Sequence, residues 1–433
     1  MIPSHWDETY LSRAYSLKSI TEHTDEDLLS VFLDRGVINY NESDKKQVHK
    51  PSEDMSKYQL VEPGDFVMNN QQAWRGSVGV SNYRGIISPA YYIWTPRNDY
   101  NPKYMNYMLR DKDIIDQFVL ASKGVGSIQR QIYVPYLKTT VLAIPPREEQ
   151  DQIVRYLDWQ ISKINKLIHG YQREIKLLEE RRQSIIDLAT TQGVDNVELK
   201  NSGTHWVRQI PVHWEMVYSK KLFAERKDKA FPGDEQLTAS QKYGIISQRE
   251  FMEREGRRVT VVMTGDDILK HVGKGDFVIS MRSFQGGLEY SYVEGKISSA
   301  YVMLVPREGK VYDEYFKWLL KSRQYIKALQ GTADLVRDGQ ALRYANFAKV
   351  PLPVVPLDEQ KRIAEYIESE TLKIDNAIPR IHKEIDLLRE YRSRLISDVV
   401  TGQIDVRGIA IPEYEPENDT DELEAVEDKE AEV

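Results

Sequence analysis

Residues 146–157 read PREEQDQIVRYL and residues 356–367 read PLDEQKRIAEYI, so the polypeptide repeats one signature 210 residues apart. When residues 146–195 are laid over residues 356–405 without a gap, 17 of 50 positions are identical. A repeat of this length is the size of a domain and far longer than the unit of a solenoid. The signature therefore divides the chain into two copies of one unit.

The segments before the two signatures also resemble each other, although more faintly. Three landmarks return at nearly the same distance: IPSHWD (2–7) as IPVHWE (210–215), GDFV (64–67) as GDFV (275–278), and SPAYYIWTPR (88–97) as SSAYVMLVPR (298–307). The duplication thus includes the globular parts, and the sequence predicts two domains of similar fold.

Each signature opens a long stretch with apolar residues three and four positions apart. The first series is Val154, Leu157, Ile161, Ile164, Ile168, Tyr171, Ile175, Leu178 and Ile185; the second is Ala364, Ile367, Thr371, Ile374, Ile378, Ile381, Ile385, Leu388 and Leu395. Such spacing is typical of a narrow coiled-coil seam. About 40 residues at 1.5 Å each predict helices of about 60 Å. Neither helix has a partner within its own repeat, so we expect the two seams to pair.

Two features of these helices depart from a plain coiled coil. Pro379 stands where the first helix has His169, and an internal proline predicts a bend near residues 375–380. Arg182 and Arg392 occupy matching seam positions where an apolar residue is expected. Each arginine either reaches solvent near the end of its helix, or sets the register of the pair, or contacts another subunit.

The remaining segments contain short β-branched and aromatic runs between Gly, Asp and Asn turns, followed by helical stretches. This pattern predicts an α+β fold with two mixed α/β domains and an internal pseudo-twofold repeat. The predicted boundaries are 1–145 for the first domain, 146–195 for the first long helix, 196–355 for the second domain, 356–407 for the second long helix and 408–433 for a disordered acidic tail.

Composition limits the class of protein. The chain has 433 residues, no cysteine and a net charge of −8. The absence of cysteine excludes disulfides, thiolate metal sites and a cysteine nucleophile. Residues 413–433 hold eleven acidic residues and one lysine, so the rest of the chain is close to neutral. No apolar run reaches the length of a membrane span, and we expect a cytoplasmic protein.

The loops differ between the two halves although the surrounding segments agree. After GDFV the first half reads MNNQQAWRGSVG and the second ISMRSFQGGLEY; later the first reads SKGVGSIQRQIYV and the second RDGQALRYANF. Arg, Gln and Ser side chains read base edges, and Arg also binds phosphates. The candidate DNA-binding residues are Gln71, Trp74, Arg75, Gln129 and Arg130 in the first half, and Arg282, Ser283, Gln285, Arg337, Gln340 and Arg343 in the second. The alternative for each is an ordinary surface or packing role.

Signatures of catalysis are missing from the sequence. It has no phosphate-binding GxxxxGK[ST] loop and no HExxH motif, and its eight histidines show no ligand spacing. NPKY (101–104) resembles the Asn-Pro-Pro-Tyr signature of adenine methyltransferases, but it opens a predicted helix. We therefore predict no catalytic residue and no metal site.

Taken together, these motifs resemble those of the specificity subunit of type I restriction-modification enzymes. The landmarks IPSHW and IPVHW and the endings PPREEQ and PLDEQ match that family at both repeats, so the resemblance covers residues 1 to about 407. It implies two target recognition domains, each binding half of a split double-stranded DNA site, with the antiparallel helices fixing the gap. It also implies partners: two methyltransferase subunits and, added to them, motor-nuclease subunits.

The resemblance implies a noncatalytic subunit that directs adenine methylation and, with the motor-nuclease subunits, cleavage. S-adenosylmethionine, ATP and Mg²⁺ would then be used through the other subunits, with no cofactor bound by this chain. Two alternatives stay open: a standalone DNA methyltransferase or nuclease with an unrecognised site, and a coiled-coil scaffold without DNA specificity. Modification or cleavage of DNA by the chain alone would favour the first, and indifference to DNA sequence would favour the second.

Overall fold

The structure is a computed structural model that describes residues 2–33, 35–42, 51–125, 129–256, 268–280, 282–332 and 343–417. The chain forms two compact units. Unit 1 consists of Met1–Arg173 with Ile381–Val433, and unit 2 consists of Glu174–Arg380. Each unit therefore contains one globular domain together with part of each long helix.

Unit 1 is built mostly of short strands. Up to the end of the first long helix, which continues into unit 2, the elements are β1 (Asp7–Tyr10), α1 (Leu11–Ala14), β2 (Tyr15–Lys18), β3 (Leu29–Phe32), β4 (Gly36–Asn39), β5 (Gln59–Val61), β6 (Phe66–Asn69), β7 (Val78–Val80), β8 (Gly85–Ile87), β9 (Tyr91–Pro96), α2 (Pro102–Leu109), α3 (Lys112–Leu120), β10 (Ser122–Val125), β11 (Gln129–Ile132), α4 (Val134–Leu137), β12 (Val141–Ile144) and α5 (Arg147–Gln192).

Unit 2 repeats this plan. Its elements, with the second long helix that returns to unit 1, are β13 (Leu199–Asn201), β14 (Gln209–Pro211), β15 (Glu215–Tyr218), β16 (Phe223–Arg226), β17 (Leu237–Ser240), β18 (Gly244–Ser247), α6 (Gln248–Glu255), β19 (Lys270–Val272), β20 (Phe277–Ile279), α7 (Ser283–Gly286), β21 (Glu289–Tyr290), β22 (Gly295–Ile297), β23 (Val302–Pro306), α8 (Asp313–Leu319), α9 (Arg323–Gln330), α10 (Tyr344–Lys349), β24 (Pro351–Val354) and α11 (Leu357–Val400).

The strand order is the same in both units. A four-stranded antiparallel sheet runs β2-β9-β6-β7 in unit 1 and β16-β23-β20-β21 in unit 2. The smaller pairs also correspond: β1-β12 with β15-β24, β3-β4 with β17-β18, and β5-β8 with β19-β22. The predicted α+β fold with two similar domains is confirmed.

The Phe-Val pairs of the repeated GDFV segments begin β6 and β20, which are inner strands of the two sheets. Phe66 packs against Phe118, whereas Val67 belongs to a different buried cluster. Phe277 and Val278 likewise fall into two separate clusters in unit 2. Since successive side chains of a strand point to opposite faces, both faces of each sheet are covered. This double burial explains why the segment is apolar without alternation.

The apolar seams of α5 and α11 are buried or half-buried at every predicted position. In unit 1, Arg392 of α11 contacts Asn165 of α5; in unit 2, Asp375 of α11 contacts Arg182 of α5. The later residue of α5 thus contacts the earlier residue of α11, as in an antiparallel pair of helices. The predicted pairing of the two seams agrees with these contacts.

Pro379 lies inside α11, which continues as a helix from Leu357 to Val400. The proline therefore does not break the helix. Its missing amide hydrogen leaves the carbonyl of Asp375 without the usual helical donor. The bend near residues 375–380 stays a prediction.

The C-terminal segment corrects the predicted boundary of the disordered tail. Residues 408–417 lie along α5 rather than free of the domains: the Gln152 Nε2 donates to the carbonyl of Ile409 at 2.8 Å, and the Ser162 Oγ donates to the carbonyl of Glu415 at 3.2 Å. The rest of the predicted tail, 418–433, lies outside the described residues. Sequence composition missed this contact because it depends on donors of a distant helix. Within the described ranges, none of the helices combines the length and apolar character that a membrane crossing requires.

Candidate DNA interface

The glutamate of each signature holds the start of its globular domain. In unit 1, Glu149 accepts a hydrogen bond from the Trp6 Nε1 at 3.1 Å and contacts the His5 Nε2 at 2.8 Å. In unit 2, Glu359 accepts one from the Trp214 Nε1 at 3.1 Å, and the ring of the preceding histidine lies 2.9 Å away. The His-Trp pair of each domain and the glutamate of its signature therefore form the same contact in both units.

The glutamine that follows attaches the domain to the start of the helix. The Gln150 Oε1 accepts a hydrogen bond from the Asn101 amide at 2.8 Å, and its Nε2 donates to the Pro145 carbonyl at 2.9 Å. The Gln360 Oε1 accepts one from the Tyr312 amide at 2.7 Å in the same way. Asn101, the first residue of NPKY, caps α2 by accepting from two backbone amides. These contacts give the asparagine of NPKY a structural role as a helix cap.

The aspartate of each GDFV segment is a buried, paired charge. Asp65 is 2% exposed and binds the Lys18 Nζ at 2.8 Å, while Asp276 is 1% exposed and binds the Arg226 Nε at 2.6 Å. A buried carboxylate requires such a partner, and in both units the cation comes from the edge strand of the sheet. The repeated motifs thus build a framework on which loops are carried.

Three of the candidates in unit 1 come together around one aromatic ring. The guanidinium carbon of Arg75 lies 4.6 Å from the centre of the Trp74 ring, and that of Arg130 lies 5.7 Å from it. The Trp74 Nε1 donates to the carbonyl of Gln71 at 2.9 Å, which fixes the ring in the turn after β6. Gln71 and both arginines are exposed, and Trp74 is half-buried. The arrangement can present two cations and an aromatic face to a ligand.

The hairpin β10-β11 brings Arg130 to this turn. The Ile132 amide donates to the carbonyl of Asn70 at 3.0 Å, which ties the hairpin to the turn. The Arg130 Nη1 donates to the Val119 carbonyl and to the Ser122 Oγ, both at 3.3 Å. Residues 126–128 and the side chain of the candidate Gln129 lie outside the described part of the chain.

Sequence reasoning missed a second cationic and aromatic group in unit 1. The Lys123 Nζ lies 3.6 Å from the centre of the Tyr133 ring and 5.5 Å from that of Tyr136. The two tyrosines are 37% and 56% exposed. The signal was present in the sequence as two tyrosines three positions apart after a basic hairpin. Such exposed rings beside a cation suit stacking on bases or contact with a phosphate backbone.

In unit 2 the turn around α7 presents Arg282 and Gln285, and both are exposed. Burial raises the pKa of Tyr301, and the positive charge of Arg282 opposes that rise. The Gln241 side chain, which the sequence did not suggest, packs against Gly286 in the same turn.

Ser283 is a correction to the predicted interface. Its side chain is 1% exposed, and its Oγ accepts a hydrogen bond from the Ser280 amide at 2.8 Å. The hydroxyl therefore closes its own turn and cannot reach a DNA base. The sequence could not distinguish the two roles, because serine is frequent both in turns and at DNA contacts.

The second candidate loop of unit 2 is described only at its end. Arg343 is exposed at the start of α10, and its backbone amide donates to the Asn346 Oδ1 at 3.1 Å. The candidates Arg337 and Gln340 lie outside the described residues. Arg343 therefore stands at the edge of the loop with its side chain open to solvent.

Arg182 and Arg392, the subunit-contact candidates, each bind the opposite helix within their own unit. The Arg182 Nε donates to the Asp375 Oδ1 at 2.8 Å, and the Arg392 Nη1 donates to the Asn165 Oδ1 at 2.9 Å. Asn165 and Asp375 are equivalent positions of the repeat, as the two arginines are. The contacts match the register-setting alternative, and contact with another subunit stays a prediction. Among the described residues, no group of three or more His, Asp or Glu side chains could hold a metal ion.

Comparisons with known proteins agree with this framework. The family model described as type I restriction modification DNA specificity domain matches residues 211–385. The putative type I restriction enzyme MjaX specificity subunit of Methanocaldococcus jannaschii is 25% identical over 371 residues, covering 82% of this chain and 81% of that protein. The MjaVIII specificity subunit of the same organism is 23% identical over 373 residues, covering 82% and 84%.

Solved structures share the fold at low sequence identity. A chain from a structure concerned with complex assembly and conformational transition of the type I R-M system has a TM-score of 0.66 at 14% identity, covering 93% of this chain and all of that one. The HsdS subunit from Thermoanaerobacter tengcongensis has a TM-score of 0.52 at 16% identity, covering 93% and 98%. The repeated signature and the two-unit framework thus occur in a chain that is similar over most of its length to type I restriction enzyme specificity subunits, and residues 211–385 match the DNA specificity domain of that family.

Proposed function

We propose that this chain is the noncatalytic DNA-recognition subunit of a type I restriction-modification complex, and that each unit binds one half of a bipartite, asymmetric DNA site. The observation that carries the proposal is the contrast between framework and loops. The two units share strand order and buried motifs, while the turns after β6 and β20 carry different polar side chains. Recognition of two different DNA sequences requires different polar side chains, which here are carried by the same framework.

In unit 1 the reading surface is the group around Trp74. Arg75 and Arg130 flank its ring, and their guanidinium groups suit either paired hydrogen bonds to guanine or contact with phosphates. Lys123 with its two tyrosines forms a second group, on the opposite face of the hairpin from Arg130. In unit 2 the corresponding surface is formed by Arg282 and Gln285, and Arg343 is a further exposed candidate at the start of α10.

The remaining parts of the proposal follow from the family. Two methyltransferase subunits bind the chain, and motor-nuclease subunits join them to allow restriction. The complex methylates adenine with S-adenosylmethionine and cleaves DNA with ATP and Mg²⁺, all bound by the other subunits. The chain itself recognises the site and performs no chemical step.

Reconstitution with its modification subunit tests the proposal. The purified complex is incubated with a DNA library and S-adenosylmethionine, and methylated adenines are mapped. We expect methylation only at a split sequence with a fixed gap, and none when this chain is omitted. Methylation or cleavage by this chain alone would identify it as an enzyme, whereas methylation without sequence preference would make it a scaffold.

A further inference from the structure

Beyond α11 the chain turns back along α5, and residues 409–417, called the strap below, lie on that helix. Just before the strap, Val406 is 2% exposed, and its carbonyl accepts a hydrogen bond from the Gln152 Nε2 at 3.0 Å. The same Nε2 donates to the Ile409 carbonyl at 2.8 Å. One side-chain amide thus fixes the point where the strap begins.

Ser162 binds the strap through both of its hydrogen-bonding capacities. Its Oγ donates to the Glu415 carbonyl at 3.2 Å and accepts from the Glu417 amide at 2.8 Å. The side chain is 6% exposed, so the strap covers it. A donor and acceptor pair directed at alternate residues is the way an extended backbone is recognised at a sheet edge. Here a helix side chain provides that recognition.

Charge fixes the end of the strap. The Glu417 Oε1 lies 3.0 Å from the His169 Nδ1, two helical turns beyond Ser162 on the same face. The hydrogen bond with His169 lowers the pKa of Glu417, and the charges of Lys166 and Arg173 lower it further. The face of α5 under the strap is therefore cationic where the strap is acidic.

The repeat shows that these side chains do not belong to the common framework. The residues of α11 equivalent to Gln152, Ser162 and His169 are Arg362, Leu372 and Pro379. Leucine and proline have no side-chain hydrogen-bonding group, and Leu372 is 57% exposed. The apolar seam is repeated in both helices, whereas the side chains of Gln152, Ser162 and His169 are not repeated in α11. The side chains of Gln152, Ser162 and His169 are thus specific to α5 and to the strap that it binds.

We propose that the face of α5 formed by Gln152, Ser162 and His169 is a binding site for an extended acidic peptide, which the chain fills in cis with its own strap. A chain without the strap offers this site in trans to the same segment of a second copy. The inference concerns only residues of unit 1 and does not depend on the DNA-binding function.

A peptide-binding experiment tests the site. The chain is ended at Arg407, and its fold is checked by circular dichroism. A fluorescent peptide of residues 408–420 is then titrated and followed by anisotropy. We expect saturable binding that weakens by about ten-fold or more with Ser162→Ala, because two hydrogen bonds are lost. Ser184→Ala, at an exposed position of the same helix, is the matched control and leaves the affinity unchanged. A folded chain that ignores the peptide, or that binds a scrambled peptide equally well, overturns the proposal.

The full-length chain provides a second measurement that does not rely on truncation. Hydrogen exchange read by mass spectrometry reports on peptides covering residues 410–417. We expect the Glu417 amide, which donates to the Ser162 Oγ, to be protected in the unmodified chain and to exchange about ten-fold faster or more with Ser162→Ala, while Ser184→Ala has no effect. Exchange at the rate of an unstructured peptide in the unmodified chain would show that the strap is not bound.

Discussion

At the scale of single residues, Glu359 shows why the signature repeats. The carboxylate is 5% exposed and accepts the hydrogen bond of the Trp214 indole, which is fully buried. Replacing Glu359 with alanine leaves that indole N–H without an acceptor. We expect the free energy of unfolding of unit 2 to fall by roughly 1–3 kcal/mol, measured by denaturant titration with tryptophan fluorescence.

The neighbouring Asp358 provides the control for this experiment. It is exposed and lies in the same first turn of α11. Asp358→Ala removes only an interaction with the helix dipole and should change the free energy of unfolding by no more than about 1 kcal/mol. Equal effects of the two substitutions would mean that the contact with Trp214 adds nothing.

Glu289 predicts a dependence of stability on pH. Burial raises its pKa from 4.5 to about 7, even though the Lys321 Nζ lies 2.6 Å away. A folded-state pKa above the unfolded value means that the folded unit holds the proton more tightly. This contribution to stability is complete below about pH 4.5 and is lost as the pH rises through about 7.

The test compares the unmodified chain with Glu289→Gln, which has no titrating group at this position. Between pH 5 and pH 8 we expect the unmodified chain to lose roughly 1–3 kcal/mol of unfolding free energy relative to the variant. If the ion pair with Lys321 outweighs burial, the unmodified chain will instead be relatively more stable at pH 8. Thermal unfolding at both pH values distinguishes the two outcomes.

Arg282 allows base reading to be separated from phosphate binding. If its guanidinium makes paired hydrogen bonds to a base, Arg282→Ala should cost about 1–3 kcal/mol for the native second half-site and much less for DNA altered at that base. Arg282→Lys keeps the charge but loses the paired geometry, so it should be nearly as damaging. Binding is measured with native and altered DNA. A uniform loss that lysine restores would assign Arg282 to phosphates.

At the scale of elements, we predict that the two long helices act as a ruler, which means that they set the distance between the two DNA half-sites. Both α5 and α11 contain residues of unit 1 and of unit 2. If the two helices hold the proposed half-sites apart, their length sets the gap between the half-sites. An insertion near the end of α5 would disturb the core of unit 2, because Ile186 and Ala189 pack there. The suitable positions are the equivalent points between Arg173 and Glu174 and between Lys383 and Glu384.

Four residues added at each point lengthen each helix by about 6 Å and turn it only slightly beyond one full turn. DNA rises about 3.4 Å per base pair, so the gap in the methylated site should grow by one or two base pairs while both half-sites stay the same. Two residues at each point turn the helix by about 200° and should nearly abolish binding. A folded four-residue variant that keeps the original gap contradicts the ruler.

At the scale of the whole molecule, the division into units predicts modular specificity. The domain of residues 1–145 is held by Glu149 and Gln150, which lie outside it. A related domain that starts with the same His-Trp pair can therefore use the same attachment. Transplanting it should change one half of the methylated site and leave the gap and the other half unchanged. Mapping of methylated adenines checks this, and a change in both halves would show that the units do not read independently.

The sequence by itself determined the duplication, the seams and the two α+β domains. These features follow from local sequence patterns: a signature found twice, apolar residues every three or four positions, and consecutive apolar residues in the strands that begin in the GDFV segments. Helical periodicity and strand burial depend on neighbouring residues, so they can be read without the fold. The candidate DNA-binding loops were predicted in the same way, by contrast between two copies of one framework.

Only the tertiary structure decided which of those residues act together. It placed Arg130 of the hairpin beside Trp74 of another turn, buried Ser283, paired Arg182 with Asp375, and laid the strap on α5. Each of these outcomes depends on contacts between segments distant in sequence. The side chain of a serine or an arginine suits several roles equally well, and its role is selected by the partner that packing brings within hydrogen-bonding distance.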